Sequence, residues 1–316
     1  MIKQTLLISE NRADLRLSQG QLLFNFDDPS GALPRSRPCE DIGLLVIDNP
    51  HTTISAALVS ELADKGAAIL YCDGAHLPRS LVLPLSRHCN VVHRLNDQIA
   101  CTKPRKKRIW QQIIQAKLKH QAQVLEPYNA STAQRIAGLV RKVQSGDPQN
   151  CEAQGAKLYF QALFADTYAQ GFRREPTAKD SLNSALNYGY AILRALVARA
   201  LVIAGLQPTL GIFHHQRSNP FCLADELLEP LRPLVDPIVK NLDLSANLYP
   251  QEGLTKSIKA SLLVLPKLYV GLKERSSGPL MVQLSHYLAS FHRCITAEED
   301  TLQIPSLEAQ PNLLKA

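Results

Sequence analysis

The spacing of apolar positions along this chain changes near residue 97. Before that point the apolar runs are short and dense: Thr5-Leu6-Leu7-Ile8, then Gly20-Gln21-Leu22-Leu23-Phe24-Asn25-Phe26, then Gly43-Leu44-Leu45-Val46-Ile47-Asp48. Each has the length and side-chain type of a β-strand. Polar segments separate the first two, as in a meander, while the third is nearly all apolar and is expected to be buried on both faces. Asp27-Asp28-Pro29-Ser30-Gly31 has the residue chemistry of a turn. Thr52-Thr53 can cap a helix whose Ile54, Ala57, Leu58 and Leu62 share one face, with Lys65-Gly66 ending it. Ala67-Ala68-Ile69-Leu70-Tyr71-Cys72 then returns as a strand. This strand–helix–strand unit lacks the Gly-x-Gly-x-x-Gly turn that cradles a pyrophosphate, and Asn49-Pro50-His51 offers no substitute, so a dinucleotide-binding reading is rejected.

From about residue 97 the spacing is helical. Ile109-Trp110, Ile113-Ile114 and Lys117-Leu118 follow three-to-four spacing, as do Ala185-Leu186, Ala191-Ile192-Leu193 and Leu196-Val197. Pro208, Pro220, Pro230, Pro233 and Pro237 punctuate the later helices, and the polar segment from about Thr296 is expected to fray. The expected class is α+β, with residues 1–96 forming a β-rich domain and residues 97–316 a larger all-α domain. A chain of 316 residues suits two domains.

Composition narrows the class. Hydrophobic residues make up 45% and charged residues 20%, which suits a globular protein and not a disordered one. No run of 18 or more apolar residues occurs, and no charged lead precedes an apolar stretch at the N-terminus. The expectation is therefore a cytoplasmic protein with no membrane span and no signal peptide. The 7 cysteines are isolated and no Cys-x-x-Cys pair exists, which argues against a zinc ribbon or a redox pair. A net charge of +7 favours a polyanionic partner through counterion release, although many basic proteins bind no nucleic acid. The charge is concentrated at Lys103-Pro104-Arg105-Lys106-Lys107-Arg108. Such a run reads equally as a solvated loop or as a clamp on backbone phosphates.

Two segments carry candidate chemistry. In Asn150-Cys151-Glu152-Ala153-Gln154-Gly155-Ala156, Glu152 falls in the first turn of a helix, and the small residues after it let a ligand or a backbone approach. The plainer reading is an acid complementing the helix dipole. In the second segment His214-His215 ends an apolar run, a polar loop follows, and Asp225 and Glu229 share a helix face four residues apart. Two like charges so placed repel unless a cation or a basic partner compensates. A histidine and carboxylates drawn from separate segments can hold a divalent cation with open positions, with Mg2+ or Mn2+ suiting the carboxylate-rich set. A solvated acidic face is the competing reading.

With these motifs the chain resembles the CRISPR adaptation integrase, the Cas-one family. The resemblance is carried by Glu40 to Asp48, Thr53-Ile54-Ser55, Cys72 to Pro78, and Asn183-x-x-Leu186-Asn187-Tyr188-Gly189-Tyr190. The Glu-x-x-x-Ala-x-x-Tyr-Phe pattern at Glu152 and Asp-x-x-x-Glu-Pro-x-Arg-Pro from Asp225 complete it. It runs to about residue 240; nothing after about 250 carries it. It is most similar to the variety found beside the single-protein RNA-guided effector. The resemblance implies that Glu152, His214 and Glu229 are the metal-binding catalytic residues, and the spacing to Glu229 selects His214 over His215. A glycine usual after the first Glu is Ala153 here.

The activity so implied is metal-dependent transesterification, in which the 3′-hydroxyl ends of short DNA fragments join to a CRISPR repeat, with nuclease activity when water attacks instead. No nucleotide triphosphate is needed, in keeping with the missing Gly-x-x-x-x-Gly-Lys loop. The implied partners are double-stranded DNA, a second copy of the chain through the β-rich domain, and a small ferredoxin-like CRISPR-associated subunit. The RNA-guided effector nuclease stays open as a further partner. The basic run from Lys103 through Arg105, Lys106, Lys107 and Arg108 then becomes a candidate DNA contact, and the Asn187 motif is expected to pack beside the site with internal hydrogen bonds. Two other functions remain in view: a general metal-dependent nuclease and a non-catalytic DNA-binding scaffold.

Overall fold

Two four-stranded sheets form the N-terminal part of the protein, seen in a computed structural model that describes residues 3–9, 12–26, 35–74, 76–85, 88–166, 172–175, 177–178, 180–214, 216–242, 244, 254–273 and 276–307. The turn expected over Asp27–Gly31 lies outside the described residues. In the first sheet β1 (Gln4–Ile8), β5 (Ile42–Ile47) and β7 (Ala68–Cys72) run parallel, and β8 (Pro78–Val82) closes the edge antiparallel to β7. In the second, the order is β4 (Arg35–Pro38), β3 (Gln21–Phe26), β2 (Ala13–Ser18) and β6 (Thr53–Ile54). The meander reading is corrected here, because β1 and β3 belong to different sheets. Between them β2 alternates, with Ala13 and Leu15 buried and Arg16 exposed. It turns back into β3 through Gln19 and Gly20, both at positive φ (50° and 74°), which is the backbone a two-residue hairpin needs to match strand twist.

All six residues of β5 are buried, as the apolar run required. Leu44 and Val46 pack into the helical core with Ala68 and Leu70, while Ile42, Leu45 and Ile47 pack against α1 (Ala56–Asp64) and the second sheet. The expected cap of α1 is also corrected. Thr53 is extended, its hydroxyl donating to Asp14 Oδ1 at 2.8 Å, and Ser55 is the cap, its Oγ accepting from the Leu58 N–H at 3.3 Å. Gly66 ends the helix at φ 75°, as expected.

The helical part comprises α2 (Val91–Ala100), α3 (Lys103–Leu125), α4 (Ala130–Val140), α5 (Cys151–Leu163), α6 (Ser181–Ile203), α7 (Cys222–Leu228), α8 (Asp236–Lys240), α9 (Lys256–Leu262) and α10 (Leu280–Ile295). α2 runs across position 96. This region is not all-α. An antiparallel pair, β9 (Tyr269–Lys273) and β10 (Ser276–Pro279), precedes α10, and Gly271 pairs with Ser306.

Nor does the chain fray directly after Thr296. Arg105 Nη1 donates to the carbonyls of Cys294 (2.9 Å) and Glu299 (3.1 Å), and Leu302 and Leu307 are buried. Helix α6 is long and apolar enough to cross a membrane by composition (mean hydropathy 1.4), but 78% of its most apolar window is buried inside the fold. Arg199 on it donates to the Gly66 carbonyl at 2.6 Å, tying the bundle to the turn between α1 and β7.

Candidate functional site

The site is built where α3, the start of α5 and a 3-10 turn at Glu229–Leu234 meet. Trp110, Ile113, Ile114, Lys117, Leu118 and Gln121 form the buried face of α3, so the lysine sits inside an apolar stripe. Its Nζ donates to Glu152 Oε1 at 2.7 Å and to Glu229 Oε2 at 2.6 Å. The other Glu229 oxygen accepts from Arg232 Nε at 2.9 Å. Arg232 in turn lies over the Tyr190 ring, 4.6 Å from its centroid. Two carboxylates and two cations therefore balance in one partly closed cluster.

Local sequence explains how Glu152 is aimed. Asn150 adopts a left-handed conformation (φ 52°) as the cap of α5, and the Asp147 carboxylate accepts from the Cys151 and Glu152 N–H groups at 2.9 and 3.0 Å. One turn on, a Cβ on Gly155 would lie 2.1 Å from Leu118 Cδ2. That glycine serves the close crossing of α3 and α5. Ala153 and Ala156, on another face, open onto a cavity of about 560 Å3 bordered by Lys157, Phe160, Arg173 and Arg174.

His214 is held in place by Glu226. This buried carboxylate accepts the backbone N–H groups of Ile212 (2.7 Å), Phe213 (2.8 Å) and His214 (2.5 Å), folding the segment around itself. It also lies 3.4 Å from His214 Nδ1. The contact with Glu226 raises the His214 pKa against the opposing effect of burial, and the charges of Glu152 and Glu229 raise it further. Trp110 meets the His214 ring edge-on at 5.0 Å.

Burial alone would raise the Glu229 carboxyl, but Arg232 and Lys117 together hold it down to about 2. Burial would likewise lower the Lys117 pKa, and the Glu229 and Glu152 charges reverse that, so its ammonium form is favoured.

The structure thus brings Glu152 and Glu229 onto one cation, with His214 close enough to sense both. His215 lies outside the described residues. Asp225 does not join them. It forms a two-bond pair with Arg194 (2.6 and 3.1 Å) and accepts from Asn219, so the like charge four residues from Glu229 is compensated separately. In the Asn187 motif, Asn187 accepts from Arg174 at 2.5 Å and Tyr190 donates to Asp236, whereas the buried Tyr188 hydroxyl has no partner among the described residues.

Lys117, Glu226, Arg232 and Trp110 were not singled out from sequence. One signal was present for Lys117: a charge in the apolar stripe of a helix must find an opposite charge when buried.

The basic run is not a loop. It forms the first turns of α3, with Pro104 at the helix start, where its missing N–H is harmless. Lys103, Lys107 and Arg108 are exposed and Lys106 is half-buried, while Arg105 is committed to the C-terminal segment through Cys294, Glu299 and Asp300. Lys103 and Lys117 are fourteen positions apart on the helix, about 20 Å along its axis.

Tested as a divalent-metal site, the donor set fits in chemistry: two carboxylates from separate elements converge on one cationic position, with an imidazole oriented by a third carboxylate behind it. Among the described residues, no three His, Cys, Asp or Glu side chains stand arranged around a common point as a ready metal cage. The space between the two carboxylates is taken by the Lys117 ammonium.

The family model for CRISPR associated protein Cas1 matches residues 6–251. The CRISPR-associated endonuclease Cas1 of Neisseria meningitidis serogroup C (strain 8013) is 37% identical over 303 residues, covering 95% of each chain. Among solved structures, a casposase bound to an integration product superposes with a TM-score of 0.76 at 16% identity, covering 95% of this chain and 93% of its own. A Cas6-RT-Cas1–Cas2 complex superposes at 0.75 and 17% identity, covering 96% of this chain and 36% of that one. These two establish likeness of fold, and the family match together with the sequence relative establishes membership: the chain belongs to the CRISPR associated protein Cas1 family.

Proposed function

We propose that this protein is the integrase of CRISPR adaptation, joining the 3′-hydroxyl ends of short DNA fragments to the CRISPR repeat by transesterification. The observation that carries the proposal is the convergence of Glu152 and Glu229, from two separate elements, on one cation. In the reaction, the fragment's 3′-oxygen forms a bond to phosphorus while the repeat's own P–O3′ bond breaks. One phosphodiester replaces another, and the hydroxyl proton passes to the departing 3′-oxygen by way of solvent.

Glu152, Glu229 and His214 would hold a Mg2+ or Mn2+ ion, which supplies polarisation of the target phosphate when bound. The protein's own groups do the rest. Glu226 fixes the tautomer and aim of the His214 ring through Nδ1. Arg232, held over Tyr190, keeps Glu229 ionised and directed. Lys103, Lys106, Lys107 and Arg108 follow the DNA backbone at the far end of α3, and Lys157, Arg173 and Arg174 continue the positive surface around the cavity next to Glu152. Water attacking the same phosphate would give nuclease activity, the property named for the Neisseria relative. A second copy of the chain and a small Cas2-like subunit complete the assembly in this reading, which the fold likeness to a Cas1–Cas2 complex supports.

The test is joining of a short 3′-hydroxyl duplex to a supercoiled plasmid carrying the repeat, run with the small subunit and Mg2+ or Mn2+. Metal-dependent joining that Glu152→Ala abolishes is expected. Joining that persists in Glu152→Ala would overturn the site assignment. Metal-dependent cutting without any joining would leave a plain nuclease.

A further inference from the structure

We infer that Lys117 is a resident counter-ion of the site, occupying the cation position between Glu152 and Glu229 and giving it up when a divalent metal binds. The inference rests on the metal-site reading above and adds a metal-controlled displacement to it.

The geometry supports exchange rather than coexistence. Both Glu229 oxygens are already engaged, Oε1 by Arg232 at 2.9 Å and Oε2 by Lys117 at 2.6 Å, and Lys117 also takes Glu152 Oε1 at 2.7 Å. A metal that ligates Glu229 must therefore share an oxygen with one of these cations or displace one. Charge points the same way. With Lys117 and Arg232 against Glu152 and Glu229 the cluster is neutral, and adding two positive charges at close range is opposed unless a cation leaves. Of the two, Arg232 is pinned by its stacking on Tyr190 and by its bond within the same 3-10 turn. Lys117 hangs on a four-carbon stem with free rotation about each bond, and its ammonium is held by hydrogen bonds to the two carboxylates. It is also the group that both prospective ligands share. Its burial, 6% exposed, means that in the metal-free protein it keeps two like charges together in a partly closed space.

The inference is tested on the full-length protein with Mn2+ as the probe. Binding is read from loss of the free-ion electron paramagnetic resonance signal, and Lys117 accessibility from acylation quantified by peptide mass spectrometry. In the wild type, acylation of Lys117 is expected to rise several-fold on Mn2+ addition. Lys259, equally buried and paired with Asp48 at 2.6 Å, should stay protected and serves as the internal control. Lys117→Met is expected to bind Mn2+ at least ten times more tightly than the wild type and to gain more in Tm from the ion. If the variant folds only when Mn2+ is present, that dependence is itself the expected effect.

Unchanged Lys117 acylation, or weaker Mn2+ binding by Lys117→Met, would overturn the inference by making the lysine a permanent member of the site. Glu152→Gln separates the two levels. If it abolishes Mn2+ binding while wild-type Lys117 stays protected on Mn2+ addition, the displacement fails and the metal site stands. If Mn2+ binding ignores Glu152→Gln, the metal-site reading fails and the displacement falls with it.

Discussion

The Trp110 indole lies flat on the Phe213 ring, with centroids 4.7 Å apart and planes 5° from parallel. The indole is fully buried on α3 and Phe213 is 38% exposed, so the stack fastens the loop bearing His214 to the helix bearing Lys117. Phe213→Ala should remove the stack without opening the core. The expected stability loss is about 1 kcal/mol, measured by denaturant unfolding. Joining should fall roughly 10-fold to 100-fold with DNA affinity unchanged, because His214 loses one of its walls. A full joining rate in this variant would reduce Phe213 to surface packing.

Lys106 and Lys107 lie in the first turns of α3, and neither makes a side-chain ion pair among the described residues. Replacing both with alanine should weaken DNA binding about equally for all sequences. It should also flatten the plot of log affinity against log salt by about 0.9 for each phosphate that is no longer neutralised. Titrations at several salt concentrations would show it; an unaltered slope would remove these residues from the DNA path. Arg105 is a poor test residue, since its loss would free the segment around Glu299.

Asp236 is fully buried and accepts hydroxyl protons from Tyr159 (2.9 Å) and Tyr190. Burial raises its pKa from 3.8 to about 6, with the two tyrosine bonds opposing the rise. The fold thus holds a proton that the unfolded chain releases near pH 4. The associated stability is complete below that pH and is lost as pH rises through about 6. Unfolding free energy should fall between pH 4 and pH 6 by an amount on the order of 3 kcal/mol from this group. Asp236→Asn should remove that slope, and equal slopes in the two proteins would count against a protonated Asp236.

Gly155→Ala places a Cβ 2.1 Å from Leu118 Cδ2 inside a packed core. Although alanine is the better helix former, the expected net effect is a loss of about 1–3 kcal/mol. Pairing it with Leu118→Ala should cost less than the sum of the two single changes, a coupling readable by chemical denaturation. Simple additivity would mean that the helices do not meet there.

Much of the architecture was legible because it rests on local regularities. The double-sided burial of β5 follows from an uninterrupted apolar run, and the face of α3 from Ile109 to Leu118 follows from helical spacing. The hairpin at Gln19-Gly20 and the edge pairing of Thr53 were not legible, and at Thr53 hydrogen bonding to β2 outweighed the capping preference of threonine. The β9–β10 pair and the anchored C-terminal segment depend on partners far away in sequence, Ser306 for Gly271 and Arg105 for Glu299.

For the site, the sequence by itself determined the residue types. Glu152 opens a helix, His214 ends an apolar run, Glu229 precedes Pro230, and Lys117 falls at an apolar position of the helical spacing of α3. Only the tertiary structure decided which charges meet. Asp225 and Glu229, four residues apart, face different cations, whereas Lys117 and Glu229, far apart in sequence, share one hydrogen bond. The reason is physical: a side chain's local periodicity sets the face it occupies, but the energy of a buried charge depends on whichever opposite charge the packing of other elements brings within reach.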